Sequence, residues 1–106
     1  MIDMDRIKEL EQEIGAEDLG AVLSIFLSEA EKTIASIGQG LDDGDHARAT
    51  HFLRSGALNM GLVGFADAAD QAASVDAPLR SETAADLETA LASSVAELEN
   101  IMSALC

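Results

Sequence analysis

The residues best equipped by type to do chemistry are two histidines five positions apart, His46 and His51. On a helix that spacing is about 140° around the axis, so the pair cannot grip one metal as an i, i+4 pair would. Asp43-x-x-His46 faintly resembles the Glu-x-x-His unit of di-iron bundles, which need that unit twice together with two further glutamates, and it occurs here once. The run Asp42, Asp43 and Asp45 lacks the twelve-residue calcium loop that ends on Glu, so it reads as a solvated capping turn. No metal is expected. His46 sits among these acids, but His51 has other company. Side chains three and four positions away are its neighbours on a helix, and here these are Ala47, Arg48, Arg54 and Ser55. Two of the chain's six basic residues therefore flank one imidazole, in a chain with 20 carboxylates. A neutral imidazole is a nucleophile, guanidinium groups attract phosphate oxygens, and the small Ala47 and Ser55 leave the ring accessible. The alternative on spacing alone is an ordinary surface histidine with ion-pair neighbours.

These residues need a rigid support, and the composition favours helices: 19 alanines, 13 leucines, 10 glutamates and one proline. Met4, Ile7, Leu10 and Ile14 share a face of a first helix, about Met4 to Ile14, which Gly15 closes. A second, about Glu17 to Leu41, keeps three- and four-residue spacing from Leu19 through Phe26 and Ile34 to Leu41, and Gly38 and Gly40 fray its end. Asp45 is the expected N-cap of a third helix, about His46 to Leu62, whose core stripe holds Leu53, Ala57 and Met60. A fourth, about Phe65 to Val75, is separated by Pro78 from a fifth, about Ser81 to Leu105, with Leu87, Leu91, Val95, Leu98, Ile101, Met102 and Leu105 in one stripe. No segment alternates long enough to be a strand, and short connections favour antiparallel neighbours. The expected fold is all-α: an up-down antiparallel four-helix bundle with an additional short N-terminal helix across one end. Residues 1–106 form one domain.

The charge balance excludes several function classes. A formal charge of −14 argues against nucleic acid and anionic membranes, whose binding runs on clustered Lys and Arg. With no Trp, no Tyr and three Phe, stacking platforms for bases are missing. The longest nearly apolar stretch, Ala57 to Ala66, is too short to span a bilayer, and Asp3, Asp5 and Glu9 stand where a signal peptide would be basic and then apolar. A cytoplasmic monomer is expected. The single cysteine, Cys106, allows no intrachain disulfide, and no phosphate-binding Gly-x-x-x-x-Gly-Lys loop is present to hold ATP.

The segment His51-Phe52-Leu53-Arg54-Ser55-Gly56-Ala57-Leu58-Asn59-Met60-Gly61 resembles the signature of histidine-containing phosphotransfer (HPt) domains, His-x-Leu-Lys-Gly-Ser followed by small residues and Asn-Leu-Gly. Leu41-Asp42-Asp43-Gly44-Asp45 resembles the acidic turn that precedes that helix in the family. The resemblance implies that His51 accepts the phosphoryl group, on Nε2, and that Arg54 occupies the place of the lysine favouring it, with Arg48 as a second phosphate-stabilising group. Ala47, Ser55 and Leu58 would form the docking surface. It implies a phosphocarrier rather than an autonomous enzyme. Its partners would be response-regulator receiver domains, with a hybrid sensor histidine kinase upstream. No cofactor is implied for this chain, because Mg²⁺ would be held by the receiver. A non-catalytic helical adaptor that binds a receiver or kinase is the alternative. Three positions depart from the pattern: Arg54 replaces Lys, Ser55-Gly56 inverts Gly-Ser, and Ala73 stands where many members orient the histidine with a polar residue. Gln71 is the nearest candidate for that orienting role, on a different face.

Overall fold

The structure is a computed structural model that describes residues 1–105; of these, the side chains of 102, 104 and 105 are not described. All regular elements are helical: α1 (Met4–Gly38), α2 (Asp43–Asn59), α3 (Val63–Ala73), a 3₁₀ segment (Ala77–Glu82) and α4 (Thr83–Leu105). The two N-terminal helices expected from the sequence form one run, broken at Gly15, whose φ of 84° and ψ of 159° are not helical. Only glycine takes that conformation without strain, so the chain bends there and resumes. Each helix packs against the next, and α1 also packs against α4, so the four close into a ring 45 Å long. Among the described residues no helix is long and apolar enough to cross a membrane.

The periodic stripes become the core. Leu19, Leu23, Phe26, Ala30, Ile34 and Ile37 of α1 are buried, and they meet Leu53 and Ala57 of α2, Phe65, Ala66, Ala69 and Ala72 of α3, and Leu87, Leu91 and Leu98 of α4. Such apolar burial is the main favourable term in folding, about 1.5–3 kcal/mol for each fully buried Leu, Ile or Phe. Met102 and Leu105, expected on the α4 stripe, and Cys106 lie outside the described side chains.

Three of the boundaries that differ from expectation bear on the site. The N-cap of α2 is Asp42, whose Oδ1 accepts from Asp45 N–H at 2.7 Å, so the helix begins one turn earlier than Asp45 would have it. An Asp at the cap satisfies an amide that the helix leaves free, and Asp43 and Asp45 then lie in the first turn, where the helix dipole favours acids. Between α3 and α4, Pro78 opens a short 3₁₀ segment rather than a plain loop. Arg80 of that segment donates to Asp43 at 2.6 Å and ties it to the start of α2. Thirdly, α2 ends at Asn59, before Leu62. Gly61 N–H bonds Leu58 O at 3.2 Å and Leu62 N–H bonds Ala57 O at 2.8 Å, with Gly61 at φ 76°. That is a Schellman ending, which needs a left-handed residue just past the cap. The N-terminal strand of chain braces this turn: Asp3 N–H donates to Gly61 O at 2.8 Å, and Arg6 Nε to Asn59 O at 2.9 Å. The Gly that closes the sequence motif therefore serves the end of the helix, and Asn59 contributes its backbone carbonyl.

Candidate functional site

Helix α2 presents two faces. Thr50, Leu53 and Ala57 point into the bundle and fix the helix, while Ala47, Arg48, His51, Arg54 and Leu58 are exposed. Ser55 is half-buried, and its hydroxyl donates back to the His51 carbonyl at 2.8 Å, which keeps the side chain low against the helix. Leu58 is two turns along the same face as His51 and 45% exposed. The face expected to dock a partner is thus open to solvent along its length.

Beside His51 a cleft of about 210 Å³ opens between α2 and α3, lined by Ala47, Thr50, His51, Arg54, Ala69, Asp70 and Ala73. The α3 wall is mostly alanine, so the imidazole has room on that side. Ala73 occupies the wall at the position expected to orient the histidine and has no polar group to do so. Gln71 does not reach it; it lines a separate cleft with Ala68, Ala72, Val75, Thr83 and Asp86. Its expected orienting role is therefore corrected: one residue is about 100° of helix, which turns Gln71 away from Asp70 and toward α4. A larger groove of about 610 Å³ runs between α1 and α4, but its walls hold Glu31, Glu88 and Glu99 beside apolar side chains and no histidine or basic residue.

The positive field expected around His51 is balanced by acids. Arg48 is ion-paired to Asp45 one turn earlier, and Arg54 Nε lies 3.7 Å from Asp70 Oδ1 on α3. Arg48 finds its partner three positions back in its own helix, whereas Asp70 is the functional-site residue that sequence reasoning missed. The pair spans two helices, and no spacing rule within one helix reveals it. The only available signal was that α3 presents Ala69, Asp70 and Ala73 together at three- and four-residue spacing.

His46 corrects another expectation. It is 2% exposed rather than solvated among acids, and its Nε2 lies 2.9 Å from the Ala72 carbonyl near the end of α3. A carbonyl only accepts, so Nε2 carries the proton of that bond. Nδ1 is buried without a partner, and Asp43 is engaged by Arg80. Among the described residues no three His, Cys, Asp or Glu side chains gather as a metal site.

Gly56 accounts for the inverted Ser-Gly pair. A Cβ there would lie 2.9 Å from Cδ1 of Phe26 and closer still to Cε1, and the Phe26 ring stands 6.1 Å from that of Phe52. The position that must stay bare is the one under Phe26, while Ser55 fits beside His51.

An exposed histidine on a helix anchored by Leu53 and ended by Gly61, with a cation one turn on, is what the motif requires. A family model described as Hpt domain matches residues 21–105. The chain belongs to the Hpt family. No curated protein and no solved structure matches the chain. As an Hpt domain it has a phosphotransfer role in two-component signalling, where such domains interact with receiver domains as phosphocarriers. The match spans α2, α3 and α4 whole and most of α1 beyond Gly15, so the site lies wholly within the Hpt region.

Proposed function

We propose that this Hpt chain is a phosphorelay intermediate that carries a phosphoryl group reversibly on His51 and passes it between receiver-domain aspartates. The observation that carries the reading is His51 itself: an exposed imidazole on a helix whose opposite face is buried, open on one side to an alanine-lined cleft with Arg54 at its edge. A lone pair on a ring nitrogen forms the N–P bond as the O–P bond of the aspartyl phosphate breaks. The electron pair of that bond stays on the receiver's carboxylate, and no proton need move. The reverse step restores the acyl phosphate. This chain supplies an oriented nucleophile and a guanidinium for the phosphoryl oxygens; the receiver supplies the divalent metal that offsets charge during transfer. The reading includes an up-and-down course of the helices, a monomer working in the cytoplasm, and a hybrid sensor kinase as one source of phosphate.

A receiver phosphorylated in the presence of Mg²⁺ and mixed with this chain is expected to leave acid-labile, alkali-stable phosphate on it. Absence of any such label overturns the reading. One observation favours the second reading, a helical adaptor that binds without accepting phosphate: both arginines beside His51 already have carboxylate partners. Under that reading the receiver binds, and the label is absent.

A further inference from the structure

We propose that Asp70 is a positioning residue that, through Arg54, weakens this chain's hold on its phosphoryl group and so biases it toward giving phosphate away. The inference rests on the phosphocarrier reading of His51. Asp70 lines the same cleft as His51, and its Oδ1 lies 3.7 Å from Arg54 Nε.

The placement serves neither the helix nor the stability of the fold. Asp70 lies in the last turn of α3, where the helix dipole disfavours an anion, and no basic residue of α3 accompanies it there. The side chains of Arg54 and Asp70 are 50% and 71% exposed, and an ion pair that open to water contributes little to folding. What the carboxylate does is place a negative charge at the edge of the space a phosphoryl group would enter.

The charges around His51 show the consequence. Arg48 is held by Asp45 and Arg54 by Asp70, so the two cations flanking the imidazole are matched by two anions before any phosphate arrives. A phosphoryl group brings up to two further negative charges. Arg54 then divides its charge between Asp70 and the phosphoryl oxygens, and the Asp70 carboxylate faces those oxygens across the cleft. Both effects disfavour the phosphorylated chain relative to the resting one. The transfer is the one written above: the N–P bond of phosphohistidine breaks as the receiver's aspartate forms O–P, and the nitrogen keeps the electron pair. Asp70 changes the position of that equilibrium and takes no part in the bond exchange. Asp45 is less exposed to this competition, since its partner Arg48 lies one turn before His51 and is not part of the cleft wall.

The test measures how phosphate partitions at equilibrium between a receiver domain and the wild-type, Asp70→Asn or Asp70→Glu chain, at low and high salt. Asn keeps size and polarity without charge, so Asp70→Asn is expected to raise the share on this chain by about three- to tenfold at low salt, with the gain shrinking at high salt as screening removes the repulsion. Asp70→Glu restores the charge and should partition like wild type. An unchanged partition in Asp70→Asn overturns the inference while the labelled wild type upholds the phosphocarrier reading. A gain that persists undiminished at high salt overturns it too, because a structural cause would not be screened. If neither the receiver nor phosphoramidate labels wild-type His51, the phosphocarrier reading falls, and this inference falls with it.

Discussion

His46 and His51 are the same residue type on the same helix, yet one is 2% exposed and hydrogen-bonded to the Ala72 carbonyl while the other stands in solvent. Helix geometry makes the difference. At about 100° per residue, His46 shares a stripe with Thr50, Leu53 and Ala57, all buried, and His51 shares one with Ala47, Arg54, Ser55 and Leu58. Five positions are enough to give one imidazole to the fold and the other to the surface. Residue type supplies the chemistry, and the angle around the axis decides whether a partner can reach it.

The largest expected effects break this comparison at either end. His51→Gln should lose all phosphate uptake from a phosphorylated receiver and melt like wild type, since an exposed substitution usually changes stability by less than about 0.5 kcal/mol. His46→Ala should do the opposite. It removes the Nε2 donor from the Ala72 carbonyl, which keeps a longer bond from Val75 N–H at 3.4 Å, and opens a hole between α2 and α3, together worth about 2–4 kcal/mol, and its folded fraction should still take phosphate. At about 4–8 °C per kcal/mol for domains of this size, calorimetry would see it readily. His46→Gln, whose amide can still donate to Ala72, should lose less stability and keep most uptake. Uptake surviving in His51→Gln, or an unshifted melt for His46→Ala, would reverse the roles assigned to the two rings.

A second contrast lies one turn further on, where Ser55 is half-buried and Gly56 lies under Phe26. Gly56→Ala should gain up to about 1 kcal/mol of helix propensity but lose about 1–3 kcal/mol by forcing the Phe26 ring aside. We expect a net loss by chemical denaturation, recovered in part when Phe26→Leu makes room. A stabilised Gly56→Ala would show that the bare position is not needed there.

How much of this was legible in the sequence depends on how far apart the interacting residues are. Stripes such as Leu19–Leu23–Phe26–Ala30–Ile34–Ile37 were readable because period alone specifies a buried helical face, and Gly15 was readable as a break because glycine is the one residue at home there. His51, Arg54 and Ser55 were readable as neighbours for the same reason. The cap at Asp42 was missed because three aspartates in four positions all satisfy the cap rule, and only the hydrogen bond to Asp45 N–H chooses among them. The burial of His46 was missed because its sequence neighbours are acids while its partner, Ala72, is on another helix. Asp70 was missed likewise: its meeting with Arg54 is made by the packing of α3 on α2, which no periodicity within either helix encodes.

The two arginines extend the comparison to smaller effects. Arg54 forms part of the cleft wall, and Arg48 does not, its guanidinium being held by Asp45. Arg54→Ala is expected to slow transfer about tenfold, the order of one charge-assisted hydrogen bond in a solvated site, and Arg48→Ala by less than about threefold. Neither should move thermal unfolding by more than about 0.5 kcal/mol, since both pairs are exposed. Single-turnover rates from a phosphorylated receiver decide it; equal losses from the two variants would show a diffuse field rather than a specific contact.

A further effect concerns access alone. A receiver must press its loops against α2 around His51 to bring its aspartate within bonding distance, and Ser55 lies one turn beyond on the flank of that face. Its hydroxyl is folded back on the His51 carbonyl, so the serine presents almost no height. Ser55→Gln breaks that bond and extends a longer side chain toward the approach path. Helix propensity hardly separates the two residues, so the circular dichroism and the melt should stay within error. Transfer from the receiver should slow several-fold, because the added side chain must be ordered and displaced at the contact, a cost of about 0.5–1.5 kcal/mol. Phosphoramidate needs no docking and should label His51 in this variant as fast as in wild type. A wild-type rate from the receiver would mean that the partner approaches from another side of the imidazole, the α3 side being the remaining open one, and Ala73→Gln, which fills that cleft, would then be the variant that slows transfer.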